Sequence, residues 1–531
     1  MKLNYIIFLL GSFLIIFGSN FFLSKNEALN TKESAEEKST SEFSVPEQGY
    51  EISEENVEEM QAVDRSKLLK FSNNLLEGEI SLIGASINNV RLRNFFVNPG
   101  STKTVELFGG SEFFSKLIFK AKDFEINTSL EFDKIIKNEK SEIILSKNLG
   151  DREIIVRYLI PPDSYSINRE VIIKNKSSKN FIFRLFEESI GIVMAQEYYD
   201  FSYYYGDDVE KIDSTPSETK KEIENITWFG FSKKYFLGAN IIDGSGEKNL
   251  KYEKKSTSLL RTVVSHKTIN LLAGGQYNLS STLFLGPKDY KILSKYGDLE
   301  KAHDLGWFDW LASPLEKLLN FSNTYIKNYG LAIIFITILI RVLFLPLTVK
   351  SMMSMKKMQS KMAILKPKLD EIKEKFKDDK ATQNSEIMKL YSKEGMNPLS
   401  SLSGCLPMLI QLPVFVALYN VLLYSLDLRH TSFWWISDLS SPENLFDIFG
   451  IPFRALPLIM GISWYITQKM TPPNPGADEF QTKIFQYMPI LFTVMFWGLP
   501  SGLILYWTVS NIISIFQQIY INQKFKRMQG A

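Results

Sequence analysis

Apolar and polar residues are separated along this chain into long blocks rather than mixed throughout it. An apolar run covers residues 3–23, polar sequence fills residues 24–327, and apolar blocks then recur as far as Ile521. A helix needs about 20 mostly apolar residues to cross the hydrocarbon of a bilayer. The pattern therefore predicts a polytopic α-helical membrane protein with one large water-exposed domain between its first and second spans.

The apolar blocks predict six membrane spans. The first, at residues 1–25, is longer than the core of a usual signal peptide and no small-residue cleavage site follows it, which favours an uncleaved signal anchor over a cleaved signal. The remaining spans are expected at 329–350, 397–426 and 453–471, with the closely spaced fifth and sixth together at 486–521.

The long polar block contains three segments of different composition. Residues 26–65 are strongly acidic and poor in aromatic residues, so we expect a disordered linker. Residues 66–300 repeat short β-rich runs separated by polar turns, as on either side of Asn175–Asn180, which is typical of an all-β sandwich. Residues 301–328 predict an amphipathic helix that lies along the membrane surface, with Pro314 in its first turn and an apolar face formed by Leu315, Leu318, Leu319 and Ile326.

The distribution of basic residues predicts the orientation. Residues 351–396 form a Met- and Lys-rich helical hairpin, and the tail at 522–531 is also basic, whereas residues 427–452 contain Arg429 as their one Lys or Arg. Because short loops rich in Lys and Arg stay in the cytoplasm, the hairpin, the tail and the short loop at 472–485 should be cytoplasmic. Both termini are then inside, and the β domain is outside.

Composition argues against several classes of function. The net charge of +2 gives no overall indication of nucleic-acid binding, and a single cysteine, Cys405, permits no disulfide within the chain. The β domain has no G-x-S-x-G, Walker A or G-x-G-x-x-G sequence. A scaffold or docking role is therefore favoured over an enzyme, and no cofactor, metal or small-molecule substrate is predicted.

One cationic residue lies inside a predicted membrane span, where apolar residues are expected. Arg341 is near the middle of the second span, where a guanidinium costs roughly 2.5–3.5 kcal/mol even on insertion scales. No Asp or Glu lies in the apolar core of any predicted span, so an ionic partner for Arg341 is not apparent. An unpaired buried cation is costly, and hydration of the guanidinium by water costs less free energy. We infer a hydrated groove with Arg341 on its wall. Polar residues of other turns and spans fit the same groove, among them Thr337, Gln411, Ser510 and Asn511. The alternative is that each of them bonds a neighbouring helix.

Methionines are concentrated in the first half of the predicted hairpin. Methionine is flexible and polarizable, and therefore suits contact with varied apolar segments of client proteins. Ordinary helix packing explains the same residues equally well. The lysines could attract ribosomal RNA or anionic lipid, and a solvated basic face explains them nearly as well. The methionines are Met352, Met353, Met355, Met358 and Met362.

Four stretches resemble the YidC/Oxa/Alb family of membrane protein insertases. They are "TILIRVLFLPLT" in the second span, "NPLSSLSGCLPMLIQLPVFVALYNVL" in the third, "LRHTSFWWISDLS" in the outer loop and "FWGLPSGLILYWTVSN" in the last hairpin. In the first of them, Arg341 aligns with the intramembrane arginine of the family. The first span and the large outer domain resemble the Gram-negative bacterial form.

The resemblance implies both a fold and an activity. It implies a five-helix core bundle around a hydrophilic groove, a periplasmic β-supersandwich and a place in the bacterial inner membrane. Family members insert and help fold nascent membrane proteins, alone or beside the Sec translocon and its accessory subunits, without hydrolysing nucleotide. By this resemblance Thr337, Phe415 and Tyr506 face passing substrate segments, and ribosome–nascent chain complexes are expected partners.

Two other functions are compatible with the pattern. Six spans with an intramembrane cation would suit a small-solute or anion transporter, although carriers usually show internal repeats and none is visible here. A membrane-anchored protein that binds or modifies carbohydrate would place its activity in the β domain.

Overall fold

The structure is a computed structural model that divides into two compact units, Met1–His303 and Asp304–Ala531. It describes residues 67–529 apart from 111, 122–125, 195–198, 213–220, 243–247, 255, 257, 394–405 and 471–478. The predicted first span, the acidic linker and Cys405 lie outside the described residues.

The first unit is built from β-strands that form two antiparallel sheets. The strands are β1 (Leu68–Ser72), β2 (Leu76–Ser81), β3 (Ile87–Phe96), β4 (Thr104–Phe108), β5 (Phe113–Ala121), β6 (Ile126–Ser129), β7 (Lys134–Glu139), β8 (Glu142–Leu149), β9 (Arg152–Leu159), β10 (Ser166–Asn175), β11 (Phe181–Ile192), β12 (Asp200–Tyr205), β13 (Asp208–Ile212), β14 (Lys221–Ile223), β15 (Ile226–Lys233), β16 (Phe236–Ile242), β17 (Lys248–Lys254), β18 (Leu259–His266), β19 (Ile269–Leu271) and β20 (Gln276–Pro287). A short helix, α1 (Tyr290–Leu293), and a 3₁₀ turn at Leu299–Ala302 follow them.

The two sheets pack face to face. One runs in the order β1-β2-β3-β5-β11-β18-β17-β14, with β4, β6 and β19 paired at its side, and the other runs β13-β12-β15-β16-β20-β10-β9-β8-β7. Aromatic rings join them, since Phe108 lies 6.4 Å from Phe231 and Phe114 lies 6.1 Å from Phe229 between centroids. The predicted β-sandwich is confirmed.

Alternation along β10 and β11 carries two charges into the interior of the sandwich. Arg169 lies between Ile167 and Val171 at an inward position of β10, and Glu187 takes the equivalent inward position after Leu185 in β11. Both charged side chains are fully buried, and Arg169 Nη2 donates to Glu187 Oε2. Because the strands belong to different sheets, the pair joins the two layers.

Polar neighbours satisfy this buried pair on both sides. Arg169 also donates to the hydroxyls of Ser115 and Ser281. Burial alone would raise the pKa of the Glu187 carboxyl, but Arg169 and His266 outweigh it, so its pKa lies well below the ordinary range. The remaining bonds to the carboxylate come from Ser115 Oγ at 2.6 Å, Asn240 Nδ2 at 2.6 Å and the ring Nε2 of His266 at 2.8 Å.

The second unit is helical. Its helices are α2 (Asp309–Ile326), α3 (Tyr329–Lys375), α4 (Lys380–Lys393), α5 (Leu406–Tyr424), α6 (Ala455–Met470), α7 (Glu479–Met495) and α8 (Ser501–Gln529). Two strands, β21 (Phe446–Ile448) and β22 (Ile451–Phe453), form a small hairpin, and 3₁₀ turns occur at Leu426–Leu428 and Phe496–Gly498.

The predicted second span and the first arm of the hairpin form one continuous helix. α3 runs 47 residues from Tyr329, passes through Pro346 and Pro367, and ends at Lys375. The predicted boundary near residue 350 marks where hydrophobicity falls, and the backbone does not break there. The hairpin turns later, where the Asp379 carboxylate accepts from the backbone N–H groups of Ala381 and Thr382 at the start of α4.

The predicted surface helix begins five residues before Pro314. α2 starts at Asp309, so Pro314 lies in the second turn rather than the first. Of the predicted apolar face, Leu315 and Leu319 are buried, whereas Leu318 and Ile326 are half-buried. The opposite side carries exposed aromatic rings that suit a membrane interface, namely Trp310, Phe321 and Tyr325.

Large apolar side chains are exposed on several helices of this unit. Within the described part of the chain, α3 and the stretch Ser501–Met528 of α8 are long and apolar enough to cross a membrane, and Gln411–Tyr424 is a shorter apolar helix. Soluble domains rarely expose contiguous apolar surface of this kind. The exposed side chains include Phe335, Leu339 and Leu343 of α3, Ile462 and Ile466 of α6, Ile490 and Val494 of α7, and Phe516 of α8.

The buried ion pair generates a stability prediction for the β domain. Glu187→Gln keeps the size of the side chain but leaves Arg169 as a buried charge without a counter-charge, which costs roughly 3–5 kcal/mol. We expect hydrogen exchange of the β10 and β11 amides in the whole protein to report a loss of that size at neutral pH. Because the carboxyl pKa is lowered on folding, the wild-type contribution persists above the ordinary value of 4.5 and declines as the pH falls below it.

The control is an ion pair on the surface of the same domain. Glu222 and Lys251 are 2.9 Å apart and both are exposed, so Glu222→Gln should cost less than about 1 kcal/mol. Equal losses for the two variants would contradict a special role for the buried pair.

Candidate functional site

Helix α8 is the element against which three of the other apolar helices pack. These are α3, α5 and α6, whereas α7 packs against α6. Consecutive residues of a helix point about 100° apart, so one helix presents different side chains to three neighbours. The polar residues of α8 therefore serve different partners according to their position.

Arg341 of α3 reaches Ser510 of α8. Its Nε donates to the Ser510 hydroxyl oxygen at 2.9 Å, and its Nη2 donates to the same oxygen. Arg341 is half-buried, and among the described residues its recorded hydrogen bonds go to this hydroxyl and not to a carboxylate. A guanidinium has five N–H donors, and one hydroxyl oxygen accepts only some of them. The arginine therefore retains both its charge and hydrogen-bonding capacity.

A second polar pair lies one helical turn from Ser510. The Gln411 amide of α5 donates to the Tyr506 hydroxyl at 2.8 Å. Tyr506 and Ser510 are four residues apart, so both lie on one face of α8. Arg341, Ser510, Gln411 and Tyr506 are called the Arg341 cluster below. Three of the predicted polar groove residues, together with Tyr506, are thus brought together.

Phe415 borders this cluster but is not on an open surface. It is buried, with its ring 4.5 Å from Trp507 and 6.5 Å from Tyr506 between centroids. Trp507 continues the packing to Trp464 and Phe496. In this structure Phe415 joins α5 to an aromatic core, and its proposed contact with clients would need that core to open.

Thr337 and Asn511 make their hydrogen bonds outside the Arg341 cluster, although Thr337 lies one helical turn before Arg341 on α3. The Thr337 hydroxyl is buried and donates to the Ile333 carbonyl oxygen of its own helix at 2.6 Å. The Asn511 amide donates to the Ser463 hydroxyl of α6 at 3.2 Å. Residue 511 points about 100° away from residue 510, so Asn511 bonds a different helix, and its position in the groove stays a prediction.

The predicted methionine surface is partly covered by the chain itself. Met355 is buried, and Met352, Met353, Met358 and Met362 are half-buried. The clearly exposed apolar residues of the hairpin are Ile364 and Met388. Packing thus accounts for Met355, and the other four methionines keep part of their surface for a partner.

Residues 427–452, called the outer loop below, are fastened to the turn that starts α8. Leu439 accepts from the Gly502 N–H at 2.8 Å through its carbonyl, and the Ser441 carbonyl accepts from the Ser501 N–H at 2.8 Å. The buried Asp438 carboxylate shapes the loop, because it accepts from the Ser440 N–H and the Ser441 hydroxyl. Two of the stretches that carry the family resemblance are therefore hydrogen-bonding partners of each other.

The outer loop also contacts the start of α3. A Cβ atom on Gly330 would overlap the Phe433 ring, so only glycine permits this approach. At the other end of the loop, Glu443 accepts from the Trp435 indole and from the Leu456 N–H in the first turn of α6, both at 2.6 Å. These contacts were not predicted from the sequence. An acidic residue ahead of an apolar helix, such as Glu443, is a sequence signal for a cap of this kind.

The residue types that the spans bring together determine what the Arg341 cluster can do chemically. No group of three or more His, Cys, Asp or Glu residues that could hold a metal ion occurs among the described residues. What the spans provide is a cation, hydroxyls and an amide held between apolar helices. Such a site can attract and hydrogen-bond a polar segment.

Comparisons with known proteins cover almost the whole described chain. Residues 321–528 match the family model described as 60Kd inner membrane protein, and residues 68–318 match the model described as YidC periplasmic domain. The membrane protein insertase YidC of Pelobacter propionicus is 39% identical over 399 residues, which is 72% of each chain. That of Syntrophus aciditrophicus is 44% identical over 326 residues, 60% of this chain and 57% of the relative.

Similarity extends to a solved structure. A crystal structure described as an active YidC insertase with its first transmembrane domain resolved is 20% identical, covers 86% of this chain and 93% of its own, and superposes with a TM-score of 0.34.

The contact between the outer loop and α3 generates a prediction at Gly330. Gly330→Ala gains up to about 1 kcal/mol in helix propensity but forces Phe433 away, and overpacking of this kind costs about 1–3 kcal/mol. We expect a lower melting temperature in detergent and faster proteolysis within the outer loop. The control is Gly498→Ala, whose added Cβ would meet nothing within 4 Å. Unchanged proteolysis for Gly330→Ala would show that this contact does not hold the loop.

Proposed function

The chain belongs to the YidC family of membrane protein insertases, and from that premise we propose that clients insert along a polar groove at the Arg341 cluster. It acts as an insertase rather than an enzyme, and its clients are nascent membrane proteins. The observation that supports the groove is a guanidinium bonded to the Ser510 hydroxyl, between helices whose outer surfaces are apolar.

The physical problem of insertion is the polar segment that must cross hydrocarbon. Unsatisfied backbone groups cost several kcal/mol each in lipid, so a client tail needs polar partners along its route. The Arg341 cluster offers a positive charge, an amide and two hydroxyls for this purpose. The apolar segment of the client then leaves sideways into lipid, where burial in hydrocarbon favours it.

We further propose the full topology that the charge pattern predicts. Six spans place both termini in the cytoplasm and the β domain in the periplasm, and five of the spans form the core bundle. The protein resides in the inner membrane with a periplasmic domain. The contact of Phe433 with Gly330 supports an outer loop on the same side as the start of α3, which directly follows α2 and the β domain.

Partners beyond the client are proposed from the same family resemblance. The lysines of α3 and α4 support an approach of ribosome–nascent chain complexes or anionic lipid to the cytoplasmic hairpin. The Sec translocon and its accessory subunits are proposed as further partners. The β domain is proposed as a scaffold. The alternative of an anion carrier has no comparable support, since the relatives of this chain are insertases.

The charge of Arg341 should matter most for clients with acidic tails. At about 8 Å and an effective dielectric constant of about 20, a carboxylate gains roughly 2 kcal/mol from the guanidinium. We expect Arg341→Ala to slow insertion of an acidic-tailed client on the order of tenfold, and to leave a neutral-tailed version of the same client nearly unchanged. Arg341→Lys should retain most of the activity, because no bidentate carboxylate partner is present among the described residues. The assay is insertion into proteoliposomes.

Lys357→Ala is the matched control for this experiment. It removes one cation from the same helix at an exposed position sixteen residues farther along α3, and should not discriminate between the two tails. An equal loss for both tails with Arg341→Ala, or failure of that variant to accumulate in the membrane, would show that the arginine is structural.

The hairpin methionines can be tested by their unequal burial. Photo-crosslinkers at the half-buried Met352, Met353, Met358 and Met362 should capture nascent chains early in insertion. A crosslinker at Met355, which is buried, should react within the protein and serves as the internal control. Crosslinks confined to the protein at all five positions would support simple helix packing.

A further inference from the structure

The β-hairpin of the outer loop ends in an apolar tip, where a phenylalanine adopts a backbone conformation that is unfavourable for bulky residues. β21 and β22 are joined by the two residues Phe449 and Gly450, with φ angles of 51° and 79°. A two-residue turn with both φ angles positive favours Asn or Asp followed by Gly. A phenylalanine in the first position is sterically unfavourable, and its side chain here is completely exposed, at 103% of the reference area.

The same loop repeats this combination. Trp434 has a φ of 53° and is 84% exposed. Neither ring is buried, and at both positions a residue such as Asn or Gly would fit the positive φ angle better. Leu445, Phe446 and Ile448 extend the exposed apolar surface along the hairpin. Trp434 packs on Trp435 with 4.6 Å between ring centroids, whereas the Phe449 ring at the hairpin tip is completely exposed. Local backbone strain often marks a residue that serves a contact outside the chain.

The position of the hairpin limits what can cover this surface. Only Arg454 separates the end of β22 at Phe453 from the start of α6 at Ala455. Each strand has three residues, so the tip can lie only about 10 Å from the end of the helix. The interfacial zone of a bilayer extends roughly 5–8 Å beyond the hydrocarbon on each side. A hairpin that lies along the membrane surface therefore keeps its tip within reach of the lipid headgroups.

The apolar surface of the hairpin continues the lipid-facing surface of α6. That helix exposes Leu458, Ile459 and Ile462 in its first two turns, immediately after the hairpin. We propose that the hairpin tip, Phe446–Gly450 with Phe449 at its end, inserts into the interfacial zone of the periplasmic leaflet of the bilayer. Aromatic and aliphatic side chains are the groups that bind this zone.

Contact with lipid would hold the outer loop at a second point. The backbone hydrogen bonds of Leu439 and Ser441 attach the loop to the start of α8, and the apolar side chains of the hairpin tip would hold its other end against lipid. The proposal goes beyond the groove and does not depend on how clients are bound. It requires that the chain resides in a membrane, and it takes the periplasmic leaflet from the proposed topology.

The test uses the full-length protein in vesicles of phosphatidylethanolamine and phosphatidylglycerol. In a background in which Cys405 is replaced by serine, an environment-sensitive fluorophore is attached at Ile448→Cys or, as a water-exposed control, at Lys140→Cys in the turn after β7. Lipids with a quencher near the headgroup are then added. We expect blue-shifted emission and roughly twofold or greater quenching at position 448, with neither at 140.

A second variant separates membrane contact from folding. Phe449→Asn gives the turn a residue suited to its φ, so the hairpin should be retained while the tip loses its apolar end. Quenching at position 448 should then fall toward that of the control. An aqueous label at 448 in the unsubstituted protein, or quenching unaffected by Phe449→Asn, would overturn the proposal. A blue shift at position 448 that disappears when the protein is diluted with lipid would also overturn the proposal, because the tip would then contact a second copy of the protein.

Discussion

The inability of hydrocarbon to solvate a charge is the constraint from which the helical unit is best understood. Arg341 lies in an apolar stretch of α3, and among the described residues its recorded hydrogen bonds go to a single hydroxyl, that of Ser510. A charge in this position is tolerated only if other polar groups or water reach it. The route by which they reach the guanidinium is the same route that a polar client segment would need. The cost of the arginine and the proposed function of the groove would thus have one physical origin.

The position of α8 makes the site depend on more than its polar residues. Tyr506 and Ser510 face α5 and α3, Asn511 bonds α6, and Trp507 packs in the aromatic core. A small rotation of α8 would disturb all four contacts together. The backbone bonds from Gly502 and Ser501 to the outer loop fix the start of this helix. The outer loop therefore helps to set the geometry of a cluster that it does not touch.

Much of this organisation can be predicted from the hydrophobic periodicity of the sequence. The features that cannot be predicted in this way depend on which side chains meet in the folded protein. The turn between β10 and β11 and the β-rich character of the domain are readable because each strand alternates. The same alternation assigns Arg169 and Glu187 to the interior, although it does not reveal that they meet. Ser510 and Asn511 are adjacent and both polar, so composition cannot tell which faces Arg341. Hydrophobicity also ends near residue 350 while α3 continues to Lys375, because hydropathy reports the solvent around a helix and not its backbone.

Arg169 and Arg341 show how the same type of side chain can serve opposite purposes. Arg169 is fully buried, is paired with Glu187 and also donates to two serines, so its charge is neutralised within the fold. Arg341 is half-buried and bonds only the uncharged Ser510 hydroxyl among the contacts of the described residues. A paired charge contributes to one packed arrangement, whereas an unpaired charge favours whichever anion or dipole arrives. The β domain therefore uses its arginine to join two sheets, whereas the arginine of the membrane unit keeps donors that the proposed groove could offer to a client segment.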